Sequence, residues 1–184
     1  GVLRPGDRLL SITGRPYDTL EEVIGLRGTG QGSLADFGID YDEVPLKPEG
    51  VVDRVALDQA LALPQRMVLI QRSCGYSWRP SLSVKDIGEL CALIHARQPN
   101  CICFVDNCYG ELVQDCEPPE VGADLVAGSL IKNLGKHSIH QITALISMAI
   151  ASEGSKVLRP QPLRSKRSQD TLQALFHRRC SLRS

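Results

Sequence analysis

The sequence predicts an α/β fold built on a mainly parallel, helix-covered sheet, and three observations carry that expectation. Short apolar runs such as Arg66-Met-Val-Leu-Ile-Gln71 and Cys101-Ile-Cys-Phe-Val-Asp106 have the length and continuity of strands buried on both faces. Helical patterns stand between them. The clearest places Val84, Ile87, Leu90, Cys91 and Ile94 at three- and four-residue spacing, which marks one buried face. Strand and helix then alternate through residues 7–127, the order that parallel crossovers require. In such sheets ligands collect at the carboxyl ends of the strands.

Each element has its own signal. Asp7 to Thr13 follows a Pro-Gly turn and reads as a short strand. Thr19-Leu-Glu-Glu-Val-Ile24 reads as a helix opened by a cap-like Thr. The glycines of Gly28-Thr-Gly-Gln-Gly32 could cradle a phosphate, but the spacing fits no dinucleotide or nucleoside-phosphate fingerprint, so a mobile surface loop is expected. Next come a strand from Asp40 to Leu46, a helix from Val55 to Leu63 and the buried strand ending at Gln71. Ser83 caps the long helix, and Cys101–Asp106 and Ala123–Ala127 complete the strands.

At 184 residues and 42% apolar content the chain can bury one sizeable core. It contains no apolar stretch of about 18 residues, so no membrane span is expected. The opening Gly1-Val-Leu-Arg-Pro-Gly-Asp7 reads as the middle of a protein and carries no signal peptide. Seven cysteines, without a Cys-x-x-Cys pair or zinc-like His spacing, point to a reducing, cytoplasmic setting and no metal. Cys101 and Cys103 share one strand face, where core packing is a stronger reading than redox chemistry.

Two strand ends carry the candidate chemistry. Phe104-Val-Asp106-Asn107 ends an apolar run in a carboxylate, and Asp124-Leu-Val-Ala-Gly-Ser129-Leu-Ile-Lys132 ends the next in Ser-x-x-Lys. A pyridoxal-phosphate site needs such a pair. An acid at a rigid strand end keeps the cofactor's ring nitrogen cationic, and a lysine amine attaches to its aldehyde. Asp106 and Lys132 are the candidates, with Ser129 placed to donate to the phosphate. Taken singly, an Asp at a strand end is usually a turn residue and a Lys after a strand is usually solvated. Their order and spacing together favour the site.

Several longer stretches resemble one family. They are Leu3-Arg-Pro-Gly-Asp7, Gly14-Arg-Pro-Tyr17-Asp-Thr-Leu-Glu-Glu-Val-Ile-Gly25, Gln31-Gly-Ser-Leu34, Gln71-Arg-Ser-Cys-Gly-Tyr-Ser-Trp-Arg-Pro-Ser81, Cys103-Phe-Val-Asp-Asn-Cys-Tyr-Gly-Glu111 and Gly122 to Asn133. Over residues 1–133 the chain resembles the fold-type-I pyridoxal-phosphate enzymes of cysteine and methionine metabolism, most closely the methionine gamma-lyase-like proteins of the aluminium-resistance family. The resemblance implies a pyridoxal 5'-phosphate transferase-like large domain and a carbon–sulfur elimination that yields ammonia, a 2-oxo acid and a thiol from a sulfur amino acid. It implies that Lys132 bears the cofactor, Asp106 faces its ring nitrogen, Ser129 meets its phosphate, and Tyr17 stacks on its ring. The competing reading for Tyr17 is simple packing. The resemblance implies that Arg72, Ser73 and Tyr76 fall in the loop where relatives meet the cofactor's phenolic oxygen or the substrate, with Trp78 expected either to line the pocket or to cover the core edge. An ordinary surface ion pair is the alternative for Arg72, and slightly more so for Arg79. Intact relatives are expected to be homodimers or homotetramers with sites shared across the interface.

The resemblance also implies parts that this sequence does not show. They are a Ser-Gly-Thr phosphate turn before Leu3, a Pro-Gly-Gly run after Asn133 and a small substrate-holding domain. Residues 1–131 hold 11 Lys or Arg against 19 Asp or Glu, a net of −8, while residues 132–184 hold 10 against 2, a net of +8. Residues 134–184 therefore read as a divergent, poorly ordered basic tail from a frame change or a gene fragment. Arg164-Ser-Lys-Arg167 within it could bind nucleic acid or a membrane surface, yet a solvated charge run is the stronger reading. Two functional expectations result. One is a lyase-like core, inactive as it stands, and the other a non-catalytic remnant or interaction module using the basic tail.

Overall fold

The computed structural model describes residues 2–28, 31–75 and 77–129. Its elements are β1 (Arg8–Ser11), α1 (Asp18–Ile24), β2 (Asp40–Glu43), α2 (Arg54–Ala60), β3 (Met67–Gln71), α3 (Val84–Arg97), β4 (Ile102–Asp106), a 3-10 turn (Pro118–Val121) and β5 (Leu125–Ala127). The strands lie in the order β2-β1-β3-β4-β5, and each neighbouring pair is parallel. The chain steps outward one way from β1 to β2 and the other way from β3 through β4 to β5. That reversal sets a topological switch point between β1 and β3, where open α/β sheets offer a ligand crevice.

The alternation of β-strand side chains divides the core into two layers. Leu10, Ile12, Val68, Ile70, Cys103 and Val105 point to the face covered by Leu57 and Leu61 near α2 and by Ile87, Leu90, Cys91 and Ile94 of α3. Leu9, Met67 and Leu69 point to the other face, against Ile24 of α1 and Ile39. This second layer is thinner at β4 and β5, where Ile102, Phe104 and Leu125 are only partly covered by the described residues.

All five apolar residues expected on the inner face of α3 are buried. The helix starts with a reciprocal cap: Ser83 Oγ accepts the Asp86 N–H at 3.1 Å, and Asp86 accepts the Ser83 N–H at 2.9 Å. The bonds from Ser83 hold Asp86's carboxyl below its ordinary range. On α3's other end, His95 lies 3.0 Å from Asp124, whose same oxygen accepts the Cys103 N–H at 2.7 Å. This link ties α3, β4 and the entry to β5.

Several boundaries differ from expectation. α1 starts at Asp18 with Tyr17 at the N-cap position, so Thr19 is a helical residue and not the cap. α2 opens at Arg54 because Asp53 accepts the N–H groups of Val55 and Ala56, and it stops at Ala60 rather than Leu63. β2 ends at Glu43 rather than Leu46, since Pro45 has no N–H to continue the ladder.

Candidate active site

The carboxyl ends of β3, β4 and β5 meet around Asp106. It closes β4 opposite Gln71 of β3 and Ala127 of β5. Asp106 is 8% exposed, and its carboxylate accepts one bond, from the Cys108 N–H at 3.1 Å. Among the described residues no Lys, Arg or His pairs with it. Buried carboxylates ordinarily hold a cation or several donors, so Asp106 is suited to a ligand that brings a cationic N–H.

Arg72, one residue beyond β3, braces the turn after Asp106. Its Nη1 donates to Asn107 Oδ1 at 2.6 Å and to the Gly110 carbonyl at 2.8 Å, its Nη2 to Gln114 at 2.9 Å, and its Nε to the Leu82 carbonyl at 3.2 Å. At 4% exposure Arg72 forms no surface ion pair among the described residues, contrary to that reading, because neutral acceptors take its donors. A Cβ on Gly110 would lie 2.5 Å from both Arg72 Nη1 and Asn107 Oδ1, so only glycine fits beneath the guanidinium. Asn107 in turn donates to Glu117 at 2.9 Å, and its N–H reaches the Ala127 carbonyl at 2.7 Å. The turn is thereby locked to the exit of β5.

The remaining candidates lie around this centre. The carbonyls of Ser73 and Gln71 accept bonds from Arg79, whose half-buried guanidinium is held to a lowered proton affinity by desolvation. Arg79 thus crosslinks the loop's own backbone and makes no surface ion pair among the described residues. Ser129, partly buried just past β5, donates its N–H to Glu111 at 2.9 Å. Tyr17, half-buried, is the N-cap residue of α1. Trp78 is fully exposed, so it neither covers the core edge nor lines a closed pocket among the described residues. Lys132 and Tyr76 lie outside the described residues, as do Thr29 and Gly30 of the glycine-rich loop.

Sequence reasoning missed Asn107, Glu111, Gln114 and Glu117 as parts of this site. Their nearest signal was Gly110, a glycine three residues after a strand-end Asp-Asn, where close approach to another group is a standard reason for glycine.

A parallel sheet with a switch point, and a buried aspartate without a cation partner among the described residues at a neighbouring strand end, fit an α/β protein of the aminotransferase-like fold. An aminotransferase from Anaerococcus prevotii shares that fold with a TM-score of 0.50 at 15% identity, over 79% of this chain and 41% of that one. The sequence model of the methionine gamma-lyase family matches residues 1–147, and the chain belongs to that family. A Listeria monocytogenes structure described as a candidate cystathionine beta-lyase involved in aluminium resistance is 54% identical with a TM-score of 0.69, over 71% of this chain and 33% of that one. The Bacillus subtilis protein YnbB is 53% identical over 136 residues, 73% of this chain and 32% of its own length. The chain spans about a third of the length of these two relatives.

Proposed function

We propose that the chain forms the cofactor-binding core of a pyridoxal-phosphate-dependent carbon–sulfur lyase acting on a sulfur amino acid, with elimination of a thiol. The observation that carries this reading is Asp106, a buried carboxylate with one backbone donor and no cation among the described residues. Pyridoxal phosphate fits that donor set: when bound, it supplies an electron sink for the substrate carbanion, provided that its ring nitrogen stays protonated. Asp106 would hold that proton at the nitrogen. Arg72, through Asn107 and Gly110, fixes the turn behind Asp106, while Ser129 and Ser73 would face the phosphate and the ring oxygen. Tyr17 would cover the ring from the β1 side. Lys132, three residues past Ser129, would bear the cofactor and move protons at the substrate's alpha and beta carbons.

The names of the Listeria relative and of the family support a carbon–sulfur lyase. A homodimer or homotetramer is proposed for the whole protein; exposed Trp78, Tyr109, Leu112 and Val113 beyond the carboxyl strand ends are apolar surface that assembly could cover. Six free cysteines among the described residues favour a reducing, cytoplasmic setting. No described helix is long and apolar enough to cross a membrane.

Equilibrium dialysis of pyridoxal phosphate against the wild-type chain and Asp106→Asn tests the role of the carboxylate. Asparagine can still accept the Cys108 N–H but loses the charge, so retention should fall about tenfold or more, the weight of one unit of differential pairing energy. Equal retention by the two proteins would remove Asp106 from the site.

A further inference from the structure

A second cluster of ligating side chains lies at the amino ends of β4 and β5, the opposite ends from Asp106. Cys103 is the second residue of β4, Asp124 directly precedes β5, and His95 sits in the last turn of α3. A His95 ring nitrogen, Cys103 Sγ and an Asp124 carboxylate oxygen all lie within 4.8 Å of one another. His95 Nε2 is 3.0 Å from Asp124 Oδ2, and that oxygen also accepts the Cys103 N–H at 2.7 Å, so the carboxylate is fixed against the strand. Its other oxygen takes no donor among the described residues. Cys103 is fully buried, whereas the side chains of His95 and Asp124 are 30% and 27% exposed. Sulfur thus closes the cluster on the core side, and solvent reaches it beside the imidazole and the carboxylate. Cys91, one helical turn before His95, is hydrogen-bonded through its thiol to Cys103.

The histidine–aspartate pair alone would serve as a crosslink between α3 and the entry to β5. With a thiol in reach of both, three ligand types converge, the set that borderline divalent ions of the zinc class take up. We propose that His95, Cys103 and Asp124 bind one such ion, zinc being the fitting occupant, and that the ion clamps the end of α3 to the amino ends of β4 and β5. One thiolate and one carboxylate balance its two positive charges, so the half-buried site carries no net charge. Tetrahedral zinc holds such ligand atoms about 3.4–3.6 Å apart, so shifts of about 1 Å close the site, and the partly exposed His95 and Asp124 side chains have room to make them. Binding releases the Cys103 thiol proton to solvent, and His95 coordinates as the neutral ring with its proton on the other nitrogen. Water supplies the fourth ligand from the open side, and the Cys91 thiol donates to the bound sulfur. Spacing along the chain, on which the expectation of no metal rested, does not reveal this arrangement, because the ligands stand at 95, 103 and 124 on three separate elements. The site uses none of the residues assigned to the cofactor.

Cobalt(II) is the probe, since a thiolate ligand gives it a near-ultraviolet charge-transfer band that imidazole and carboxylate ligands do not. The full chain and the variants Cys103→Ala, His95→Gln and Cys74→Ser are titrated with cobalt alone under a phosphine reductant, and circular dichroism confirms the fold of each. The wild-type chain should develop the band to saturation at one ion per chain, and zinc should displace it. Cys103→Ala should abolish it. His95→Gln, at a partly exposed position that leaves the strands intact, should weaken cobalt binding by at least about tenfold. Cys74→Ser removes a partly exposed thiol outside the cluster and should bind as the wild type does. Absence of the band in the wild-type chain overturns the proposal. So does an unchanged binding midpoint in folded His95→Gln, which would put the ion on other thiols and histidines of the chain. Zinc should also raise the urea midpoint of the wild-type chain more than that of His95→Gln, and equal rises would overturn the clamp.

Discussion

Replacing Arg72 with Met tests whether the turn behind Asp106 is held by that guanidinium. Methionine keeps much of the stem's volume but removes every donor. The Gly110 carbonyl keeps the Val113 N–H and Gln114 keeps the Val84 N–H, whereas Asn107 Oδ1 and the Leu82 carbonyl lose their donor among the described residues. One buried acceptor, Asn107 Oδ1, and one half-buried acceptor, the Leu82 carbonyl, stranded at about 1–3 kcal/mol for the first and less for the second, give an expected loss near 3 kcal/mol. In urea, with a slope of about 2 kcal/mol per molar, that is a midpoint lowered by about 1.5 M. Far-ultraviolet circular dichroism follows the transition. A midpoint lowered by less than about 0.5 M, near 1 kcal/mol, would refute the argument, because the acceptors would then be satisfied without Arg72.

Three further outcomes are expected. Gly128→Ala drives a Cβ into Glu111 and should destabilise the chain by about 1–3 kcal/mol; the double variant with Glu111→Ala should recover most of that loss, and simple additivity in the cycle would count against the contact. Ser83→Ala removes the α3 cap and should cost about 1 kcal/mol at neutral pH. Asp86's carboxyl is depressed in the folded chain, so its contribution is present above the ordinary carboxylate range and lost as pH falls through the lowered value; the gap between wild type and Ser83→Ala should close in acid, and a gap that widens there contradicts the cap. Iodoacetamide on the native chain should modify Cys74, Cys108 and Cys116 well before the three buried thiols. Burial pushes Cys101 up to about 11, and a hydrogen bond with Cys91 together with burial raises Cys103, so early labelling of either would disprove that packing.

Much of the fold was legible because its signals are local. The inner face of α3 and its Ser83 cap follow from residues a few positions apart, and β3 and β4 announce themselves as continuous apolar runs. The strand order was not legible, since pairing β1 between β2 and β3 depends on long-range packing that no short window records. The same division runs through the site. Asp106 could be read from its place at the end of an apolar run. The burial of Arg72 could not, because its acceptors lie 10 to 42 positions away in Leu82, Asn107, Gly110 and Gln114. Thr19 misled for a related reason: Asp18 two residues after Pro16 already starts the helix, and Tyr17 takes the cap position without offering a side-chain acceptor. Lys132 lies outside the described residues, so its role rests on the sequence and on the family to which the chain belongs.

The central claim is that this chain carries a pyridoxal-phosphate site in which Lys132 bears the cofactor. Purified chain mixed with pyridoxal phosphate, reduced with borohydride, digested and mapped by mass spectrometry tests it most directly. A cofactor-sized mass increment concentrated on the peptide containing Lys132 is the expected result. No label, or label spread over Lys47, Lys85 and the lysines of the basic tail, would contradict it.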